Sequence, residues 1–390
     1  MLYLLLDALR GWLAERGLYG FPISLLDQVE FRALASAFIA FVAVVVLGKP
    51  VIRWLMRQKI GDSGSTDAAA LRDHAASKSK TPTMGGLLIC GAILVCTLLF
   101  ADLRARHVQL AIIVVGWLGV LGGFDDWLKL TAQRRGTGRQ GLVAWEKLVF
   151  QLGLGLIVGV FAFRAGDVSD GPDIAHVLNL IGQRTYDPVT GDLEQSLIYF
   201  SFPVFVVITM LMITGMSNAV NITDGMDGLA SGVSASVAFG LMLLALIAGN
   251  EGLSAYFLVP SVVYAEELAI PAGAMAGACL GFLWWNCSPA QVFMGDTGSL
   301  ALGGLIAYIA VVTRQEIVVL VMCGVFLVEI ASVVAQVGYF KATGGKRILR
   351  CAPIHHHYHL GGWTESQVVQ RAWIVSVLLG IVAIATLKIR

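Results

Sequence analysis

The chain has 390 residues, of which 57% are hydrophobic and only 14% charged. Water-soluble domains carry about 25% charged residues, so a soluble globular protein is excluded. A net charge of +1 offers no basic footprint for nucleic acid, and the six scattered cysteines contain no CxxC pair, so they read as small buried hydrophobes and not as a disulfide frame or zinc site.

At the start of the chain, Leu2, Leu5, Leu6, Leu9 and Leu13 form a helical stripe without a basic start or a small-residue cleavage site. That pattern predicts an interfacial helix within segment 1–30 and not a cleaved signal peptide. About ten runs then follow that are long enough to span a bilayer: 31–48, 83–101, 107–124, 147–165, 198–216, 228–248, 270–286, 298–313, 316–336 and 370–388. The fold class is therefore all-α, a polytopic membrane protein forming one integral membrane domain over 1–390. The apolar stretch 253–263 contains Pro260 and reads as a surface loop or re-entrant piece. Gly155/Gly159, Gly273/Gly277 and Gly277/Gly281 have the spacing that lets membrane helices approach closely.

The loops set the orientation. Lys and Arg concentrate in 49–82, 125–147 and 337–371, whereas 166–197 is mostly acidic and 249–269 has neither cation. The positive-inside rule places the three basic loops in the cytoplasm and both termini in the periplasm. The polar motifs all fall on the cytoplasmic face, which makes them candidates for one composite site.

Loop 49–82 ends in Lys78-Ser79-Lys80-Thr81-Pro82-Thr83-Met84-Gly85-Gly86. Pro82 suits a first helical turn and Thr81 or Thr83 a cap, with Lys78 and Lys80 adding charge for a diphosphate. The run ending at Phe124 is followed by Asp125, Asp126 and then Lys129. Adjacent carboxylates at a helix mouth repel one another and favour a hard divalent cation, while a lysine one turn on suits a phosphate. The stretch 217–228, read as a short loop, holds Asn218, Asn221, Asp224 and Asp227, whose amides and carboxylates suit a uracil edge, sugar hydroxyls or a metal. Phe293-Met294-Gly295-Asp296-Thr297-Gly298-Ser299 precedes another run; Asp296 completes a three-carboxylate set with Asp125 and Asp126, although Asp296 or Ser299 also suits a helix cap. In the cytoplasmic loop 337–369, the consecutive His355, His356 and His357 point in different directions, which suits phosphate donors or an acid/base better than a shared metal. Together these features describe a membrane enzyme with a Mg²⁺ cluster and phosphate-binding cations. Phosphosugar transfer from a soluble nucleotide donor to a lipid acceptor fits them. Glu329 is the main charge inside an apolar run and has no role assigned by the sequence.

The ordered motifs TPTMGG, DDWLK, NAVNITDGMDGLA, FMGDTGSLALGG and PIHHH resemble the phospho-N-acetylmuramoyl-pentapeptide transferase family, within the wider polyprenyl-phosphate N-acetylhexosamine-1-phosphate transferases. The resemblance runs from about Arg53 to the C-terminus. It implies a ten-helix enzyme of the bacterial inner membrane, typically a homodimer. Such an enzyme moves phospho-MurNAc-pentapeptide from UDP-MurNAc-pentapeptide to undecaprenyl phosphate with Mg²⁺, yielding lipid I and UMP. Carried over by motif, Asp125 and Asp126 are the paired aspartates, with Asp125 deprotonating or positioning the lipid phosphate. Lys129 is the motif lysine and Asp296 the magnesium ligand. Asn221, Asp224 and Phe293 form the nucleoside side, and Lys78, Thr83, Asp227, Gln336, His355 and His356 line the pocket. Direct attack is favoured over a covalent aspartyl intermediate. Lys80, His359, Gly361 and a slightly longer loop 337–353 depart from the family pattern. The alternatives are a GlcNAc-1-phosphate transferase using the same lipid, and a transporter or channel.

Overall fold

Inside a hydrocarbon layer a backbone amide has no water to bond, so each apolar run closes its hydrogen bonds on itself. The computed structural model of the chain describes residues 1–58, 81–135, 141–166, 174–188 and 190–389. Its helices are α1 (Leu2–Glu15), α2 (Val29–Arg57), α3 (Gly86–Phe100), α4 (Arg106–Arg135), α5 (Ala144–Gly166), α6 (Phe202–Thr223) and α7 (Leu229–Gly249). They continue with α8 (Glu251–Phe257), α9 (Ala269–Asn286), α10 (Gly295–Val312), α11 (Glu316–Met322), α12 (Gly324–Ala342), α13 (Ile354–His359) and α14 (Glu365–Thr386). Among the described residues, nine helices are long and apolar enough to cross a membrane, and α3 is a shorter apolar helix, which together match the expected ten. Short 3₁₀ turns at Ile23–Asp27, Ile174–His176 and Ala265–Leu268 and isolated bridges, such as Val177 with Tyr199, accompany them among the described residues. The protein is a multi-pass membrane protein.

The helices differ in what surrounds them. Within the apolar window of α10, 94% of residues are buried, against 17% for α12 and 22% for α14. Thus α10 is the central post, and α12 and α14 turn most of their surface to lipid. The expected glycine contacts form. On α9, Gly273, Gly277 and Gly281 lie against the backbone carbonyls of Ala33, Ala37 and Phe41 on α2, one turn apart each time, and Gly155 and Gly159 of α5 lie against Met210 and Val206 of α6. At the end of α2 remote from the motifs, Arg32 is paired with Glu267 (2.5 Å) and donates to the Phe100 carbonyl, while Glu267 also accepts from Asp102 N–H. Both charged groups are nearly fully buried, so each satisfies the other where water is absent.

Several boundaries differ from the sequence reading. The stretch read as a loop at 217–228 is helical as far as Thr223: Ser217, Asn218 and Thr223 donate back to carbonyls one turn earlier in the same helix, and Asn218 and Asn221 also reach neighbouring helices. The stretch 253–263 begins as α8, capped by Asn250 accepting from Leu253 N–H and stopped by Leu258 at φ 54°. The run 316–336 breaks at Cys323–Gly324 into α11 and α12, at a residue that propagates helix poorly. The TPTMGG segment does not open a helix at Pro82: α3 starts at Gly86, and Met84 holds φ 67°. The N-terminal expectation holds as a helix, since α1 contains no buried residue and exposes Leu2, Leu5 and Leu9.

The packing yields one test. A β-carbon at Gly277 would overlap Ala37 backbone, whereas Gly91 and Gly116 have open space around theirs. Gly277→Ala is expected to lower the thermal unfolding temperature, reflecting a loss of about 1–3 kcal/mol or more from overpacking. Gly91→Ala and Gly116→Ala should leave it within a degree or two of wild type, read by detergent-solubilised melting.

Candidate active site

Asp125, Asp126 and Asp296 are all buried and each offers an oxygen within 4.8 Å of the others. The first two lie on α4, which continues past them, so Lys129 falls one turn beyond Asp125 on the same face. Asp296 is in the first turn of α10. What brings α4 and α10 together is the absence of side chains. Gly122 lies on the Asp296 carbonyl, and Gly86 of α3 lies on the Gly298 backbone, so a β-carbon at either position would overlap main chain.

Two lysines bridge the carboxylates. Lys129 Nζ is 2.7 Å from Asp125 Oδ2 and 3.2 Å from Asp296 Oδ2. Lys147 Nζ is 2.8 Å and 2.5 Å from the same two oxygens. Leu142 N–H donates to Asp125 Oδ1 at 2.6 Å, and Asn221 Nδ2 donates to Asp296 Oδ1 at 2.9 Å. Lys147 is the residue the sequence reading missed. It stands at the start of α5 and resembled an ordinary cation in a basic loop; only the fold carries it across to Asp296.

Asp126 has a different task. Its Oδ1 accepts from Asp296 N–H (3.1 Å), and its Oδ2 accepts from Thr297 N–H (3.0 Å) and Thr297 Oγ1 (2.7 Å). It therefore caps α10 from a neighbouring helix and complements the positive end of that helix dipole. The alternative that Asp296 or Ser299 serves as the cap is not what forms: α10 has no side-chain cap of its own. Thr81–Gly86 forms a clasp on the same region. Phe293 N–H donates to the Pro82 carbonyl, Gly85 N–H to the Phe293 carbonyl and Gly86 N–H to the Met294 carbonyl, each at 2.8 Å. Thr83 sits half-buried inside this clasp.

The remaining candidates divide. Asn221, on the last turns of α6, reaches the carboxylate cluster itself and Ser299 Oγ (2.9 Å). Asp224 follows at the helix end, where burial, with the nearby Asp296 and Asp126 charges, raises its carboxyl to about 7. Asp227 Oδ2 accepts from Ala290 N–H at 3.1 Å, tying the following turn to the segment before Phe293. Asn218 is brought elsewhere: its amide nitrogen donates to Gln151 Oε1 and the Thr214 carbonyl (2.8 Å each), joining α6 to α5. Gln336 anchors a loop, its Oε1 accepting from Ile348 and Leu349 N–H and its amide nitrogen reaching the Leu349 carbonyl. Both side chains commit to protein partners that sequence spacing cannot reveal. The histidines lie on the short helix α13. His355 pairs with Glu329, His357 Nδ1 accepts from Arg350 N–H at 3.1 Å, and the His355 and His356 rings meet at 4.2 Å. Lys78 and Lys80 lie outside the described residues.

Three carboxylates around one small space are a donor set for a hard divalent cation. Asp125 and Asp296 have the oxygens that face the shared space, and Asp126 stands behind them on the helix cap. Two ammonium groups now satisfy that space, so its affinity for positive charge is already visible in the geometry.

A many-spanned helical membrane protein with a buried acidic cluster at one mouth is the class that the fold defines, and residues 108–314 match the family model Glycosyl transferase family 4. Residues 78–90 match phospho-N-acetylmuramoyl-pentapeptide-transferase signature 1. The chain is similar to a phospho-N-acetylmuramoyl-pentapeptide-transferase of Desulfotalea psychrophila, 41% identical over 362 residues, 93% of this chain and 94% of the relative. It is similar also to one of Syntrophus aciditrophicus strain SB, 40% identical over 362 residues with the same coverage. The chain belongs to the phospho-N-acetylmuramoyl-pentapeptide-transferase family, and it is a transferase.

The capping aspartate and the bridging lysine are both open to test. Asp126→Ala should destabilise the fold by about 1–3 kcal/mol, because it leaves buried N–H donors at the head of α10 unmatched. Lys147→Met should lower melting as well, because it leaves the buried Asp125 and Asp296 carboxylates with one ammonium fewer, and should lower transfer about 100-fold, the cost typical of removing one charge-stabilising group. Melting and turnover measured on the same preparations check both.

Proposed function

We propose that this enzyme transfers phospho-MurNAc-pentapeptide from UDP-MurNAc-pentapeptide to undecaprenyl phosphate, forming lipid I and UMP. The observation that carries the reading is the convergence of Asp125, Asp296, Lys129 and Lys147 from three helices onto one small space at the end bearing the basic loops. The nucleotide arrives from water and the lipid phosphate from the bilayer, so a site at the membrane lip serves both. The reading places the protein in the bacterial inner membrane, with this site cytoplasmic, both termini periplasmic, and a homodimer as its assembly.

Asp125 is buried and sits where a carboxylate can accept a proton from, or orient, the attacking lipid phosphate. Lys129 and Lys147 hold the diphosphate oxygens and offset charge that builds as the phosphoanhydride bond breaks. Asn221 orients the Asp296 carboxylate that would hold Mg²⁺ together with Asp125, backed by Asp126. The bound ion supplies neutralisation of the diphosphate charge. On this reading Asn221, Asp224 and Phe293 form the nucleoside side, and Thr83, Asp227, His355 and His356 line the rest of the pocket. Direct attack by the lipid phosphate is favoured, because both oxygens of Asp125 are engaged, one by two ammonium groups and the other by a backbone N–H, which leaves neither free to serve as the nucleophile.

The test is UMP release by purified protein given both substrates. Release should require Mg²⁺, stop in chelator, and fall at least about 100-fold in Asp125→Asn and Asp296→Asn while both variants remain folded. Turnover in chelator, or near-normal turnover in either variant, contradicts the reading. Preference for UDP-GlcNAc as donor would move the enzyme to the related GlcNAc-1-phosphate branch.

A further inference from the structure

Glu329 lies in the membrane-spanning helix α12, 5% exposed. An ionisable group at such a position is unfavourable unless a partner or a function requires it. Its partner is His355, whose Nδ1 is 2.9 Å from Glu329 Oε2 and whose backbone N–H approaches the same oxygen at 3.4 Å. Ser332 completes the attachment: its hydroxyl donates to the Glu329 carbonyl at 2.6 Å and accepts from Ile354 N–H at 3.0 Å. The start of α13 is thus pinned to one face of α12.

The consequence is at the other ring nitrogen. A carboxylate accepts only, so His355 presents Nδ1–H to it and Nε2 becomes the outward nitrogen. Nε2 is buried and has no hydrogen-bond partner, although most buried polar atoms have one. It is aimed at the turn that follows α6: a β-carbon at Gly225 would meet Nε2 at 2.5 Å and Cε1 at 2.9 Å. That turn adjoins Asp224, which feels the charges of Asp296 and Asp126. A carboxylate behind an imidazole also offsets the positive charge that the ring carries when both nitrogens hold protons, and Nε2–H is then a donor suited to an anionic oxygen.

We propose that Glu329 is a positioning residue, which fixes the ring of His355 so that Nε2–H is presented at the Asp224–Gly225 turn as a donor to a phosphate oxygen of the nucleotide. This rests on the reading that the donor substrate is a uridine nucleotide. It gives the intramembrane carboxylate a role in binding and not only in joining α12 to α13. Glu329→Gln keeps an oxygen able to accept from Nδ1–H but removes the charge behind the ring.

Two measurements test the proposal. In ligand-free wild type, ¹⁵N spectra of histidine-labelled protein, with the His355 signals assigned by their loss in His355→Ala, should show Nδ1 protonated. A bare Nδ1 overturns the proposal whatever nucleotide the enzyme uses. In binding assays, Glu329→Gln should weaken UMP about tenfold and leave uridine unchanged, and the UMP loss should vanish when His355 is already alanine, because coupled residues do not add. Equal losses for UMP and uridine, or losses that add in the double variant, would show a structural tie only and overturn it.

Discussion

The site depends on two places where helices touch without side chains between them. Gly122 against the Asp296 carbonyl and Gly86 against Gly298 bring α4, α3 and the head of α10 into backbone contact. Only at that separation do carboxylates from α4 and α10 share one space. Three acidic groups so close would repel, and the fold answers with two lysines, one from α4 itself and one from the start of α5. Asp126 adds a second answer, since its charge is taken up by the N–H groups at the head of α10. The cluster is therefore a stabilised part of the core whose donor set could hold a metal ion.

The surrounding architecture follows from where rigidity is needed. The helix that carries Asp296 is the most enclosed in the bundle, so the central carboxylate is held by packing on every side. The helices that carry Glu329 and flank the histidine helix are the least enclosed, with broad lipid-facing surfaces. The carboxylates thus sit on the core and the histidines towards the periphery. The proposed transfer, with one substrate from water and another from lipid, fits a fixed charge centre with a less enclosed flank beside it.

Much of this was legible in the residues. Apolar run length located the spans, and glycines four apart on 273–281 located the tightest helix crossing, because both signals are local and periodic. The aspartate pair and Asp296 announced themselves as charges that a membrane helix end rarely tolerates. Lys147 was hidden because its partner is 149 residues away and its neighbours are ordinary interfacial residues. The partners of Asn218 and Gln336 were hidden for a related reason: an amide looks the same in sequence whether it faces a ligand or ties two elements, and here each finds a protein partner. The TPTMGG stretch has the composition of a helix start, yet its carbonyls and amides pair with Phe293 and Met294 instead. Each miss concerns which distant group a polar atom meets, and that is set by the assembled fold.

The central claim is that Asp125 and Asp296 form one cation site which lysines share with a divalent ion. Titration of purified protein with Mn²⁺, followed by electron paramagnetic resonance, tests it most directly. The account predicts one bound ion per chain with carboxylate oxygen ligands, abolished in Asp125→Asn and Asp296→Asn and tightened in Lys129→Met, which removes a competing cation. Binding that is absent in wild type, or indifferent to all three substitutions, would contradict it.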